Sequence, residues 1–296
     1  MNLLRFQILV MLERLKKVTS VAEELGVKQP TVSFHMKKLE EEWGMPLFEI
    51  KTGKVLLTEA GRLLHHYASD MIRIYKEAEL RFAALQQTGN QHFVIGCTDI
   101  ASSILFSKDW FTLVNEGLEI QIKFETGPSA ILLEGLKDRS IDLIVNGGAM
   151  VNQTAESMLQ SEVIREIPMA IYMANTHPFS KAPSIPSYRL SAYNFVAVDD
   201  IDLQASMRRW EDSEKVKLAV KLSTDRVMQA LSAVRSGAVL STLPALRSPQ
   251  LLSGLTQVPL SGEQPSYALT AMWRSDYWNP ALIQRMLLFI KDLLAQ

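Results

Sequence analysis

From Arg62 to Thr88 the chain contains neither proline nor glycine, and Thr58 and Glu59 place a capping residue and a first-turn acid just ahead of that run. This pattern predicts one helix over residues 59–89. At about 1.5 Å per residue, some 30 residues make a rod of roughly 45 Å, longer than one small module can cover. Leu64, Ala68, Met71, Tyr75, Ala78, Phe82 and Leu85 recur at alternating intervals of four and three, a heptad-like seam that suits a partner helix. The rod is therefore expected to link a head of residues 1–58 to a remainder of residues 90–296, and to dimerise through Leu64, Ala68, Met71, Tyr75, Ala78 and Phe82. The alternative is a seam that packs on its own chain. His65 and His66 are neighbours on the helix and point different ways, which argues against a metal pair.

In the head, Leu4, Ile8, Met11, Leu12 and Leu15 lie at intervals that describe an amphipathic helix over Leu3 to Leu15. A second helix follows, with Thr19 or Ser20 as its expected N-cap, Ser20 and Glu23 in capping-box spacing, and Gly26 as its stop. Gln29-Pro30 then opens a third helix, since proline is tolerated where the first turn has no internal N–H bond to lose, and Gly44 closes it. Val32, Met36, Leu39 and Trp43 form one stripe on this helix, expected to face the first two.

That stripe leaves the opposite face free, with Pro30, Phe34, Lys37 and Lys38 flanked by Gln29, Thr31 and Ser33. Gln and Ser can bond base edges or phosphates, Lys neutralises phosphate, and an apolar group can meet a thymine methyl. Taken alone, a helical hairpin of this kind also fits a small all-α module with no nucleic-acid partner. The segment after Gly44 adds to the case for DNA. Ile50, Lys51, Lys54 and Val55 straddle a tight turn at Thr52-Gly53, which predicts a hairpin wing with Lys51 and Lys54 near its tip.

Beyond Thr88-Gly89-Asn90-Gln91, a linker by composition, apolar runs alternate with helical patterns. Strands are expected at His92 to Thr98, Leu118 to Glu125, Ile141 to Val145, Pro168 to Met173, Phe195 to Val198 and Val216 to Leu222. Helices are expected at Ser102 to Asn115, Ile131 to Leu136 and Asp225 to Ser236, with a last one near Pro280 to Leu294. This βαβ rhythm implies open parallel sheets, which bind ligands beyond the C-terminal ends of strands and at helix N-termini.

Three blocks carry a family resemblance. Val21-Ala22-Glu23-Glu24-Leu25-Gly26-Val27-Lys28-Gln29-Pro30-Thr31-Val32-Ser33, then Lys38-Leu39-Glu40-Glu41-Glu42-Trp43-Gly44-Met45-Pro46-Leu47-Phe48, then Leu57-Thr58-Glu59-Ala60-Gly61 resemble the DNA-binding domain of LysR-type transcriptional regulators. Ile95-Gly96-Cys97-Thr98, Leu133 through Leu136 with Ile141-Asp142-Leu143-Ile144, His177-Pro178, Ser236-Gly237 and Leu243-Pro244 are similar, more diffusely, to the effector domain of the same family. The resemblance implies a multi-domain chain: an all-α winged helix-turn-helix N-terminal domain, a long linker helix, and an α/β two-lobed effector domain like a periplasmic binding protein. Lobe one would comprise about residues 90–162 and 267–296, and lobe two about 163–266.

The resemblance also implies roles. Gln29, Pro30, Ser33 and Phe34 would approach DNA, and Thr19 would cap its helix near a phosphate; Phe34 stands where the family often has a basic or polar side chain. Thr98, Asp99, Ala101 and Ser102 would line the mouth of the cleft after the first strand, with Thr126 and Ser129 at the second helix. Asn146 at the crossover, Asp199 after a lobe-two strand and Thr224 as a lobe-two N-cap would complete a polar ring. Hydroxyls and free N–H groups there favour a carboxylate or phosphate effector, while Asp99 suits an amino group or a helix cap. The implied partners are a double-stranded DNA operator, a small-molecule effector, further copies of the chain as dimer or tetramer, and RNA polymerase.

Charge and composition limit the rivals. The net charge of −1 excludes a wholesale basic coat, and 13 basic against 11 acidic residues up to residue 88 is too slight an excess to decide anything. The five histidines are dispersed, with no HxxxH spacing and no glycine-rich phosphate loop, so the sequence offers no catalytic constellation, metal site or cofactor motif. The single cysteine, Cys97, sits in an apolar run and is expected to be a buried, inert thiol. Without a long apolar span or a signal-peptide pattern at the N-terminus, the chain is expected to be cytoplasmic. An oligomeric DNA-binding protein with a vestigial cleft is the alternative, and an α/β enzyme a weaker one.

Overall fold

The first helix, α1 (Leu3–Leu15), buries residues on two sides, and for that reason its apolar pattern is broader than a single stripe. In the computed structural model, which describes residues 3–88, 91–106, 120–148, 158–260, 262 and 264–295, the chain divides into two compact units, Met1–Gly89 and Asn90–Gln296.

In the first unit, Ile8 and Leu12 of α1 pack with Val21 and Ala22 of α2 (Val18–Leu25), Val32 of α3 (Gln29–Trp43) and Val55 of the wing. Phe6 and Leu9 pack with Leu39 of α3, with Leu47 and Leu57, and with Leu64, Ala68 and Ile72 of α4 (Glu59–Thr88). Each of these Val, Leu, Ile and Phe side chains contributes about 1.5–3 kcal/mol when fully buried. The wing is β1 (Phe48–Lys51) paired antiparallel with β2 (Lys54–Leu57), Lys51 opposite Lys54. Gly26 and Gly44 end α2 and α3 in the left-handed conformation at φ 65° and 68°, which a side chain would resist. Gly61 is needed for a different reason: a Cβ there would lie 2.1 Å from the Leu47 carbonyl oxygen, where α4 docks on the base of the wing.

Three expectations for this unit are corrected. The second helix starts at Val18, with Lys17 extended at the N-cap and no side-chain cap, so neither Thr19 nor Ser20 caps it; a positive φ at Lys16 turns the chain early enough to put Thr19 inside the first turn. Trp43, the last residue of α3 before the Gly44 turn, lies 48% exposed instead of closing the buried stripe. Leu64 and Ala68 are covered by the chain itself, at 6% and 0% exposure, since α1 lies against the first half of α4. The seam is left open only further along, at Met71, Tyr75, Ala78, Phe82 and Leu85.

The second unit has two lobes threaded on shared strands. In lobe one, β3 (Gln91–Cys97) lies parallel between β4 (Ile120–Thr126) and β5 (Leu143–Asn146), and β11 (Ser266–Arg274) continues the sheet antiparallel to β5. The long strand β6 (Leu159–Ala174) pairs with β11 up to Pro168, then enters lobe two between β9 (Ser241–Pro244) and β10 (Leu255–Pro259). A parallel pair, β7 (Asn194–Val198) and β8 (Ala219–Thr224), extends lobe two through a bridge from Phe195 to Leu240. The expected start of a strand at Pro168 is thus the midpoint of a longer one, whose first half mixes polar and apolar residues and is only partly covered.

The helices are α5 (Asp99–Leu105), α6 (Ser129–Lys137), α7 (Ile201–Glu214), α8 (Val227–Arg235), the short α9 (Pro249–Leu252) and α10 (Pro280–Ala295). The helix expected over Ser102 to Asn115 begins at Asp99 and its helical part ends at Leu105, before Phe106; residues 107–119 lie outside the described ones, as does the start of the strand expected at Leu118. The strands β9, β10 and β11 and the helices α7 and α9 had no counterpart in the sequence reading.

Candidate functional site

On α3 the polar and apolar faces separate as the stripe requires. Val32 and Leu39 are buried, Met36 is half-buried, and Gln29, Pro30, Thr31, Phe34 and Lys37 are exposed. The Gln29 amide reaches the Ser33 hydroxyl one turn on, at 3.5 Å. Lys38 Nζ stands 5.9 Å from the centre of the Phe34 ring and also meets Glu41 at 2.7 Å. Lys51 and Lys54 are exposed at the wing tip, Lys51 paired with Glu49 at 2.9 Å. Thr19 is exposed in the first turn of α2, and the loop before it is tied to the wing by the Val55 N–H bonding the Lys16 carbonyl at 2.8 Å. The exposed residues of this unit therefore include hydrogen-bonding side chains, an apolar ring and several ammonium groups.

In the second unit, the ends of β3, β4 and β7 and the loop after β8 meet around a cavity of about 260 Å3, at the mouths of α5, α6, α7 and α8. Thr98, Asp99, Thr126, Ser129 and Asp199 line it, together with Gly127, Asp200, Asp225 and Arg226. The Thr98 hydroxyl caps α5 by accepting from the Ala101 N–H at 3.3 Å and lies 3.4 Å from the Tyr267 hydroxyl. Asp200 caps α7 by accepting from the N–H groups of Asp202 and Leu203 at 3.0 and 2.9 Å. Burial pushes the Asp200 carboxyl up to about 6, against the pull of its backbone hydrogen bond from Leu203.

Asp99 does not cap its own helix. Its carboxylate crosses the cavity, accepts from the Val227 N–H of α8 at 2.6 Å and meets the Arg226 guanidinium at 3.3 Å. Three of the four helix starts facing the cavity thus hold a side-chain oxygen, while α6, behind Pro128, has no side-chain cap.

Four of the expected cleft residues lie off the lining. Ala101 is wholly buried behind the first turn of α5 and Ser102 is half-buried beside it. Asn146 is buried at the end of β5, where its side chain accepts from the Gly148 N–H at 3.2 Å. Thr224 is not an N-cap: β8 runs through it, Arg226 precedes α8, and its hydroxyl is bonded to Gln229. Sequence reasoning missed Asp200, Asp225 and Arg226. Asp200 was legible only to a reader expecting a helix after Val198, as Asp-Ile-Asp is a strong N-terminal signature.

Residues 86–295 match the family model of the LysR substrate binding domain, and residues 3–62 that of bacterial regulatory helix-turn-helix proteins of the lysR family. The chain belongs to the LysR family of transcriptional regulators. CfxR of Cupriavidus necator is 31% identical to this LysR-type regulator over 199 residues, 66% of this chain and 60% of CfxR. A RuBisCO operon transcriptional regulator of Allochromatium vinosum is 26% identical over 232 residues, 76% of this chain and 73% of its own. Among solved structures, HinK, a LysR family regulator of Pseudomonas aeruginosa, superposes with a TM-score of 0.59 at 18% identity, over 99% of both chains. Full-length CbnR, solved with its target DNA, does so with a TM-score of 0.55 at 12% identity, over 100% of both. At those identities the likeness is one of fold.

Proposed function

We propose that this regulator reads its operator with the outer face of α3, through Gln29, Thr31, Ser33, Phe34 and Lys37, while Pro30 seats the helix start and Thr19, Lys51 and Lys54 meet phosphates. The observation that carries this reading is the division of α3, with Val32 and Leu39 inside and Phe34, 55% exposed, on the surface beside Gln29 and Lys37. Polar side chains at a helix start and lysines on a hairpin suit base edges and phosphates respectively. In a gel-shift titration of the full chain, Gln29→Ala is expected to weaken operator binding by about 5- to 100-fold, the worth of a base contact, with the melting temperature unchanged. Lys54→Ala should instead reduce the salt dependence by about one unit of slope. Unchanged binding by both variants would remove α3 and the wing from the interface.

The cavity between the lobes is, in the same proposal, the effector site. The uncapped start of α6, with Thr126 and Ser129 beside it, favours a carboxylate or phosphate end, and the exposed carboxylates Asp199 and Asp225 opposite favour an amino group at the other end. Filling the cavity with Thr98→Trp should abolish the effector response and leave DNA binding intact. Met71, Tyr75, Ala78 and Phe82 form the apolar part of α4 that would be covered in a dimer, the arrangement proposed for the working regulator, from which tetramers would be built and RNA polymerase contacted. The chain would act in the cytoplasm and without catalysis. Among the described residues no helix is long and apolar enough to cross a membrane.

A further inference from the structure

Two parallel rows run along the outer face of α3. Gln29, Ser33 and Lys37 follow one another at every fourth position, and Pro30, Phe34 and Lys38 form the adjoining row. The first row is made of groups that donate or accept hydrogen bonds. The second places a bare hydrocarbon ring in the middle of the helix, 55% exposed, although the other side of the helix buries Val32 and Leu39 in the two cores of this unit. The ring is held in place: Lys38 Nζ lies 5.9 Å from its centre, and the His35 ring meets it edge-on with centroids 5.6 Å apart.

A phenyl ring can neither donate nor accept a conventional hydrogen bond, so on a base edge it can distinguish bases only by what is apolar there. In the major groove the one apolar group presented by the four base pairs is the 5-methyl of thymine. We propose that Phe34 is the specificity-determining residue of this regulator for thymine, recognising the 5-methyl group at a fixed place in the operator while Gln29 and Ser33 bond the edges beside it. This inference rests on the reading of α3 as the groove helix and adds to it the base feature that is read.

The test starts from a duplex selected by the full-length protein out of a randomised library, resynthesised with deoxyuridine in place of thymidine at one position at a time. Each exchange removes a single methyl group and leaves every hydrogen-bonding atom in place. At the position that Phe34 reads, the wild type is expected to bind the deoxyuridine duplex roughly fourfold more weakly, the weight of one buried methyl group. Phe34→Ala should bind the two duplexes equally and the thymidine duplex more weakly than wild type does, whereas Phe34→Leu should keep most of the discrimination. Because the ring is on the surface, the melting temperature of both variants should match the wild type. The proposal is overturned if no thymidine in the operator responds to the exchange, or if Phe34→Ala discriminates as well as wild type does. Should no sequence be selected, or should Gln29→Ala bind the duplex unimpaired, the placement of α3 fails and this inference falls with it.

Discussion

Asp99 is the side chain whose removal tests the two-lobed arrangement most directly. Its carboxylate sits on the first turn of α5 in lobe one and takes the place of a cap on α8 in lobe two, with a 2.6 Å bond from the Val227 N–H. Losing a helix-capping oxygen costs about 0.5–2 kcal/mol. The Arg226 pair adds about 0–1 kcal/mol, because that guanidinium is half exposed and screened by solvent. Asp99→Ala should therefore cost about 1.5 kcal/mol, and for a unit of this size lower the melting temperature by roughly 3–6 °C. Asp99→Asn keeps an acceptor oxygen and should lose about half as much. Asp225→Ala is the control, as that carboxylate is exposed and meets Arg226 only at 3.8 Å. Scanning calorimetry of the full chain, paired with hydrogen exchange at the Val227 amide, reads both effects. Equal melting temperatures for Asp99→Ala and Asp225→Ala, with the Val227 amide as protected as in wild type, would refute the bond across the cavity.

Gly61→Ala should destabilise the DNA-binding unit by about 1–3 kcal/mol, since its Cβ would meet the backbone at Leu47 and one of the two must shift; a melting curve within 1 °C of wild type (roughly 0.2 kcal/mol) would show that the loop yields freely. Cys97, 1% exposed and with its thiol pushed up to about 12 by burial, should resist iodoacetamide in the native protein and react at once in denaturant. Asp200 has its folded pKa raised to about 6 from 3.8, so the folded state holds a proton that the unfolded state releases, and stability falls as pH rises between those values. Acidifying from about pH 7 to pH 5 should thus stabilise wild type by on the order of 1 kcal/mol relative to Asp200→Asn, and parallel pH profiles for the two proteins would contradict the burial argument. Met71→Asp should yield monomers in sedimentation, and a surviving dimer would place the contact off α4.

Much of the fold was legible because helices of the head carry their own punctuation. Gly26, Pro30 and Gly44 mark turns by backbone chemistry alone, and the length of α4 follows from the absence of such residues. What misled was the choice of partner. The alternation of four and three along α4 is the same whether a residue meets α1 of its own chain or a second copy, and only the fold reveals that Leu64 and Ala68 belong to the former. The missed strands of lobe two, such as β9 and β10, are four or five residues long and take their form from β6 between them, a non-local pairing that leaves little local pattern.

The cleft shows the same limit at the level of single residues. Thr98, Asp99, Thr126 and Ser129 line the cavity, and each stands where a strand gives way to a helix, a position visible in sequence. Which helix each oxygen serves is a different matter. Thr98 caps the helix that follows it, whereas Asp99, one residue on, caps a helix 128 residues away. A side chain one bond longer than a hydroxyl reaches across a narrow gap, and that reach ties lobe two to an acid of lobe one that lines the cavity. If the cavity holds the effector as proposed, a ligand that takes the Asp99 oxygen from the Val227 N–H would weaken this tie, and the free energy of binding and the balance between lobe positions would be coupled at that carboxylate.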